Sequence, residues 1–254
     1  MSTSLKTQKL YYTDQYLKKA TAKITALTEE YIITDRTIAY PEGGGQESDR
    51  GWISKGENRI HFHSATLTEG NPIHLKGFKG GKTGGRIRHH INKYDFCALK
   101  GLTPGEHVIV SIDTERRQRL TISHSASHFL YAAILQIRPG LSDRTLGCHI
   151  GEERARFDFS TQTPFSQQEV MEIEEIANQM ISLNDEIRME HHPEHLDARV
   201  WKYGNLIIPC GGTHLPRPAP IGQIRVSRKN LGKGKERLIC SFSQAIIDTS
   251  HYHE

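Results

Sequence analysis

Two pairs of candidate metal ligands stand four residues apart in this chain: His124 and His128 in HSASHFL, and Cys210 and His214 in PCGGTH. Side chains at i and i+4 of a helix share a face, so the first pair can be two ordinary hydrogen-bonded histidines or two imidazoles aimed at one ion. A zinc-protease motif is excluded, because Ser125 stands where that motif carries its glutamate base. In the second pair, Gly211 and Gly212 argue for a tight loop rather than a helix. As a loop thiol and a surface imidazole the pair needs no ion. As ligands, a thiolate and neutral imidazoles suit zinc and exclude magnesium. The two pairs lie too far apart in sequence for a compact zinc finger, so a site using both must be assembled across a folded domain.

The elements that would position them are legible in part. Ala126, Phe129, Leu130, Ala133, Ile134 and Ile137 follow helical spacing over 122–137, with Thr121 or Ser123 as the cap and Pro139-Gly140 as the stop. On that helix the apolar stripe and the two histidines fall on roughly opposite faces. A second helix follows Ser166, which forms a capping box with Glu169, and its buried stripe is Val170, Ile173, Ile176, Ala177, Met180 and Ile181. YIITDRTIAY, RIHFHSATL and HVIVSID read as strands before residue 115; ARFDF, NLIIP, IGQIRV and ERLICSFSQAII read as strands after it. Helices and strands do not alternate as in a βαβ series. The expected fold is therefore α+β: a small β-barrel or sandwich domain over 1–114, then an α/β domain over 115–254 with a mainly antiparallel sheet.

At 254 residues, 36% hydrophobic and 24% charged, the composition is that of a globular protein. No apolar run approaches the roughly 20 residues of a membrane span, and MSTSLKTQKL lacks a signal-peptide core, so a cytoplasmic location is expected. Four scattered cysteines argue against a disulfide scaffold. A net charge of +4 permits a polyanionic partner without demanding one. The basic charge gathers in two places. HLKGFKGGKTGGRIRHH (74–90) reads as a solvated hairpin tip or as a phosphate-contacting loop. RKNLGKGKERL carries Arg228, Lys229, Lys233, Lys235 and Arg237, again either a solvated hairpin or a grip on nucleic acid. PEGGGQ, with Gly43, Gly44, Gly45 and Gln46, is either a turn or a place where backbone approaches a substrate closely.

Taken together, DRTIAYPEGGGQESDRG, HSASHFL and CGGTH resemble, in that order, the editing domains of alanyl-tRNA synthetases. The likeness is greatest to the free-standing alanyl-tRNA editing proteins of the AlaX family, medium-length type, and it covers nearly the whole chain. The resemblance implies one Zn2+ held by His124, His128, Cys210 and His214. It implies a substrate pocket that includes Gly43, Gly44, Gly45, Gln46 and Thr145, with Thr145 reading the hydroxyl of serine. It further implies tRNA(Ala) as partner and hydrolysis of its seryl, and secondarily glycyl, ester. The chain departs from the family pattern in Ser125, where threonine is commoner, and in LGCHIG. Four protein ligands complete a zinc tetrahedron, so either one of them, His214 foremost, exchanges with water, or the ion organises the pocket. The alternatives are a non-catalytic, zinc-stabilised tRNA-binding protein and a deacylase for another mischarged tRNA.

Overall fold

The computed structural model describes residues 6–75, 81–95, 102–193 and 195–254. Six strands, β1 (Lys19–Leu27), β2 (Tyr31–Thr34), β3 (Gly51–Lys55), β4 (Asn58–Thr68), β5 (Arg86–Ile91) and β6 (His107–Ile112), close into an antiparallel barrel of order β6-β1-β2-β5-β4-β3. Alternation builds its interior: Ile24, Ile32, Ile53, Ile60, Phe62, Ile87, Val108 and Val110 point inward and are buried. In β4 the register shifts between Phe62 and Ser64 against β5, and this bulge lets Ala65 turn inward as well. Of the basic stretch 74–90, residues 76–80 lie outside the described residues, and Arg86 onward is barrel strand rather than hairpin tip.

Helix α1 (Thr114–Ile137) leads directly out of β6. Its cap is Asp113, whose side chain accepts from Arg116 N at 3.1 Å, so the helix starts two turns before the expected Thr121 or Ser123. The end after Ile137 agrees with the Pro139-Gly140 stop. Nor does α1 have a solvent face opposite its apolar stripe. Ile122, Ala126, Phe129, Leu130, Ala133 and Ile134 enter the second core, while Arg117, Gln118, Ser123, His124 and Ser127 are buried too.

Around α1 lie two antiparallel sheets. One runs β7 (Thr145–Ile150), β8 (Arg154–Ser160), β13 (Lys235–Ser241), β12 (Arg225–Gly232) in space. The other is β9 (Ile187–His192), β10 (His195–Tyr203) and β11 (Leu206–Pro209). Helix α2 (Gln167–Leu183) packs on α1 and carries the expected capping box, Ser166 Oγ accepting from Glu169 N and Ser166 N donating to Glu169 Oε2. IGQIRV becomes strand only at Arg225, and ERLICSFSQAII leaves the sheet after Ser241. Among the described residues no helix is long and apolar enough to cross a membrane.

Candidate metal centre and its cavity

The middle of α1 and the loop after β11 bring both ligand pairs to one point. Ligand atoms of His124, His128, Cys210 and His214 all lie within 4.8 Å of one another. Cys210 Sγ is 3.4 Å from His124 Nε2 and 3.2 Å from His214 Nε2. The loop can come this close because residue 212 has no side chain; a Cβ there would sit 2.1 Å from His124 Cε1.

Hydrogen bonds around the cluster determine which ring nitrogens are free. Gln46 Oε1 accepts from Thr213 N at 3.1 Å and lies 2.6 Å from His124 Nδ1. A carbonyl oxygen only accepts, so Nδ1 carries the proton and Nε2 keeps its lone pair toward Cys210. The same logic holds at His214. Ser125 Oγ donates its single proton to Thr121 O at 2.9 Å and accepts from Leu215 N at 2.9 Å. His214 Nδ1, 3.3 Å from that oxygen, must therefore donate, which leaves its Nε2 free as well. The His214 backbone is clamped by Gln15, which donates Nε2 to its carbonyl at 2.6 Å and accepts from its N at 3.1 Å. His214 is thus tethered at its backbone and at Nδ1. His128 packs edge-on against Trp201, ring centroids 4.8 Å apart, and among the described residues its buried Nδ1 has no hydrogen-bond partner.

Burial pushes His124 down to about 3, lowers His128 and His214, and raises the Cys210 thiol to about 12. The imidazoles are thus neutral, the form that ligates, and the thiol needs a nearby cation to become thiolate. Lone pairs converging on a thiol, with an unmatched buried nitrogen beside them, fit a zinc ion.

His124, His128 and Cys210 of the cluster form one wall of a cavity of about 550 Å³ between the barrel and the second half. Tyr40, Glu42 and Leu67 line it from the barrel side, Lys9 and Tyr12 from the segment before the barrel, and Tyr131, Cys148, Asp197 and Ile208 from the second half. The glycine-rich motif forms a turn at the edge of this cavity. Residues 43–46 form a tight turn, Gly43 and Gln46 exchanging backbone hydrogen bonds of 3.1 and 3.0 Å, with positive φ at Gly44 and Gly45. Gly43 and Gly44 line the cavity, and a Cβ on Gly45 would lie 2.4 Å from Cys148 Sγ.

Relatives match most of the chain. A family model described as tRNA synthetases class II (A) matches residues 3–94. The alanyl-tRNA editing protein AlaX-M of Methanosarcina mazei is 30% identical over 258 residues, covering 92% of this chain and 96% of that protein. The chain belongs to the AlaX family of alanyl-tRNA editing proteins. The AlaX-M protein of Methanosarcina acetivorans is 29% identical over 91% of this chain and 97% of its own length. An alanine–tRNA ligase of Ignicoccus hospitalis is 29% identical over 87% of this chain, which spans only 24% of that ligase.

Within this AlaX-type chain the other expected site residues are distributed unevenly. Thr145 is outside the cavity lining; its Oγ1 donates to Leu141 O at 3.1 Å and sits 3.3 Å from the phenol oxygen of Tyr131, which does line it. On the β12–β13 hairpin, Lys229, Lys233 and Lys235 are exposed. Arg228 and Arg237 are paired, the first with Glu236 at 3.0 Å and the second with Asp158 at 2.6 Å. Lys229 and Arg237 share a hollow with His149, Arg154 and Arg156, which their sequence context does not single out. Tyr12, Tyr131, Cys148 and Trp201 also escaped the sequence reading, since no spacing links them to the motifs.

Proposed function

We propose that the protein is a trans-editing hydrolase that removes serine, and secondarily glycine, from mischarged tRNA(Ala), with zinc at the His124, His128, Cys210 and His214 cluster. The observation that carries this reading is the convergence of those four ligand atoms within 4.8 Å, with His124, His128 and Cys210 on the wall of a cavity of about 550 Å³. That volume suits a small organic group such as an aminoacylated nucleoside. The two AlaX-M relatives are matched over nearly their full length and are named alanyl-tRNA editing proteins, which supports the tRNA ester as substrate and the action in trans.

When bound, zinc supplies Lewis-acid polarisation of the ester carbonyl or a water of lowered pKa. The remaining work falls to the chain itself. Gln46 and Ser125 fix the tautomers of His124 and His214, and Trp201 packs against His128. Tyr12, Tyr40, Leu67 and Ile208 form walls of the cavity beside the cluster. Discrimination needs a group that pairs with a hydroxyl, because serine differs from alanine by that group alone. Thr145 acts through Tyr131 in this reading. With its proton on Leu141 O, Thr145 Oγ1 accepts from the Tyr131 phenol, whose oxygen then accepts from the serine hydroxyl inside the cavity. Lys229, Lys233 and Lys235 contribute phosphate contacts outside it.

The deciding experiment offers tRNA(Ala) esterified with serine, glycine, alanine or threonine to the zinc-loaded protein. Serine should be released fastest, glycine next and alanine slowest. Thr145→Val frees the Tyr131 phenol to turn away from the serine hydroxyl, and should narrow the serine-to-alanine ratio by up to roughly a hundredfold, the full worth of that hydroxyl's hydrogen bond at about 1–3 kcal/mol. Equal rates for serine and alanine in the wild type would overturn the substrate assignment. Inactivity on every ester with zinc bound would favour the binding-protein alternative, which the complete set of four protein ligands also suits.

A further inference from the structure

Strand β10 carries Asp197, Arg199 and Trp201 at alternate positions, and alternate positions share a face. Asp197 lines the cavity and Trp201 packs on His128, so Arg199 shares their face between them, just behind the residues that line the cavity. Asp197 is fully matched: it accepts from Lys9 Nζ at 3.0 Å, Thr83 Oγ1 at 2.9 Å and Gly84 N at 2.7 Å. Arg199 is not. It is only 7% exposed, its buried Nε has no hydrogen-bond partner, and no carboxylate pairs with it among the described residues. Phenols and a thiol surround it instead. Its guanidinium carbon stands 4.8 Å from the ring centre of Tyr12, and the charges that act on it are those of Tyr12, Cys210, Tyr40 and Tyr11. A guanidinium keeps its proton in a protein, so this is a buried cation without an anion. Lys9 and Lys82 line the same cavity.

The missing anion narrows the ligand. In an aminoacyl ester the amino acid has no free carboxylate and bears an ammonium group, which an unmatched guanidinium repels. The negative charge nearest the ester is the phosphate on the 5′ side of the nucleoside that carries it, and a planar guanidinium fork matches phosphate oxygens two at a time. We infer that Arg199 binds the phosphate of the 3′-terminal nucleotide, placing the aminoacylated ribose between Tyr12 and the metal cluster. This inference rests on the editing reading above.

Adenosine 5′-monophosphate and adenosine, titrated by calorimetry into zinc-replete protein, test it without any hydrolysis. The wild type should bind the monophosphate roughly ten- to a hundredfold tighter than adenosine, the range expected for hydrogen bonds to a charged group. Arg199→Gln should lose most of that advantage while keeping its affinity for adenosine and its zinc. Equal affinities in the wild type, or an undiminished advantage in Arg199→Gln, would overturn the inference. If the glutamine variant fails to fold, Arg199→Lys decides: the charge remains but the fork is gone, so a reduced advantage supports phosphate binding and an undiminished one contradicts it. A guanidinium that served only to balance the Cys210 thiolate would alter zinc affinity and leave the monophosphate advantage intact. An Arg199-dependent advantage in a protein that deacylates nothing would keep the phosphate site and overturn the editing reading.

Discussion

Gln46 joins parts of the chain that sequence separates widely. Its carbonyl oxygen takes protons from His124 Nδ1 and Thr213 N, and its amide nitrogen donates to Thr213 Oγ1 at 3.2 Å, so one fully buried side chain ties α1 to the CGGTH loop. Removing it by Gln46→Ala leaves His124 free to flip its tautomer and the loop free to drift. The expected result is a zinc affinity weaker by about ten- to a hundredfold, read by competition with a chelator, in a protein that still folds. An unchanged affinity would remove Gln46 from the metal site. The residue was legible in sequence only as the end of a glycine-rich motif; its contact with His124 crosses the chain from barrel to helix, and no spacing rule reaches that far. Arg199 was less legible still. In HLDARVW nothing marks it, because an orphaned cation is a property of its surroundings.

Among the elements, α1 shows what periodicity conveys and what it misses. The apolar positions from Ala126 to Ile137 were readable because they repeat every turn. The true start was not, because Thr121 and Ser123 have the chemistry of caps while the working cap is Asp113. The turns between hold Arg117, which donates Nε to both oxygens of Asp49 at 3.0 and 3.1 Å and its terminal nitrogens to Gln15 O and Ile38 O. Both partners are sealed from solvent, and the pair fastens the helix to the barrel. Arg117→Ala strands a buried carboxylate and should cost about 3–5 kcal/mol in denaturant unfolding. Adding Asp49→Ala should recover part of that loss, and strictly additive losses would show the pair to be uncoupled.

The barrel makes its own prediction through His89 on β5. The ring is completely buried, with Nδ1 3.0 Å from Ile32 O and Nε2 2.8 Å from Thr37 Oγ1, and burial brings its pKa down to about 4. The unfolded chain titrates near 6.5, so between these values it binds a proton that the folded barrel refuses. Stability therefore falls as pH drops from about 6.5 toward 4, by up to about 3 kcal/mol from this residue. Chemical denaturation across that range should show a shallower loss in His89→Gln than in the wild type. Parallel curves would contradict the assignment.

For the molecule as a whole, a β-barrel followed by a region of helices and antiparallel sheets was readable because strand-like runs precede α1 and a mixture follows it. The cavity was not, since its walls come from both halves and from Tyr11 and Tyr12 in a short turn ahead of the barrel. Catalysis in this account belongs to that junction: the second half holds the cluster, and the barrel with its glycine turn closes the chamber. The central claim joins metal to ester, and single-turnover hydrolysis of seryl-tRNA(Ala) by zinc-free and zinc-reconstituted protein, with alanyl-tRNA(Ala) alongside at the same salt, tests it most directly. The account predicts that removing the metal slows seryl release by at least about a hundredfold. One equivalent of zinc should restore it, with alanyl-tRNA(Ala) a poor substrate throughout. Equal rates on seryl-tRNA(Ala) with and without zinc, or release of alanine as fast as serine, would contradict it.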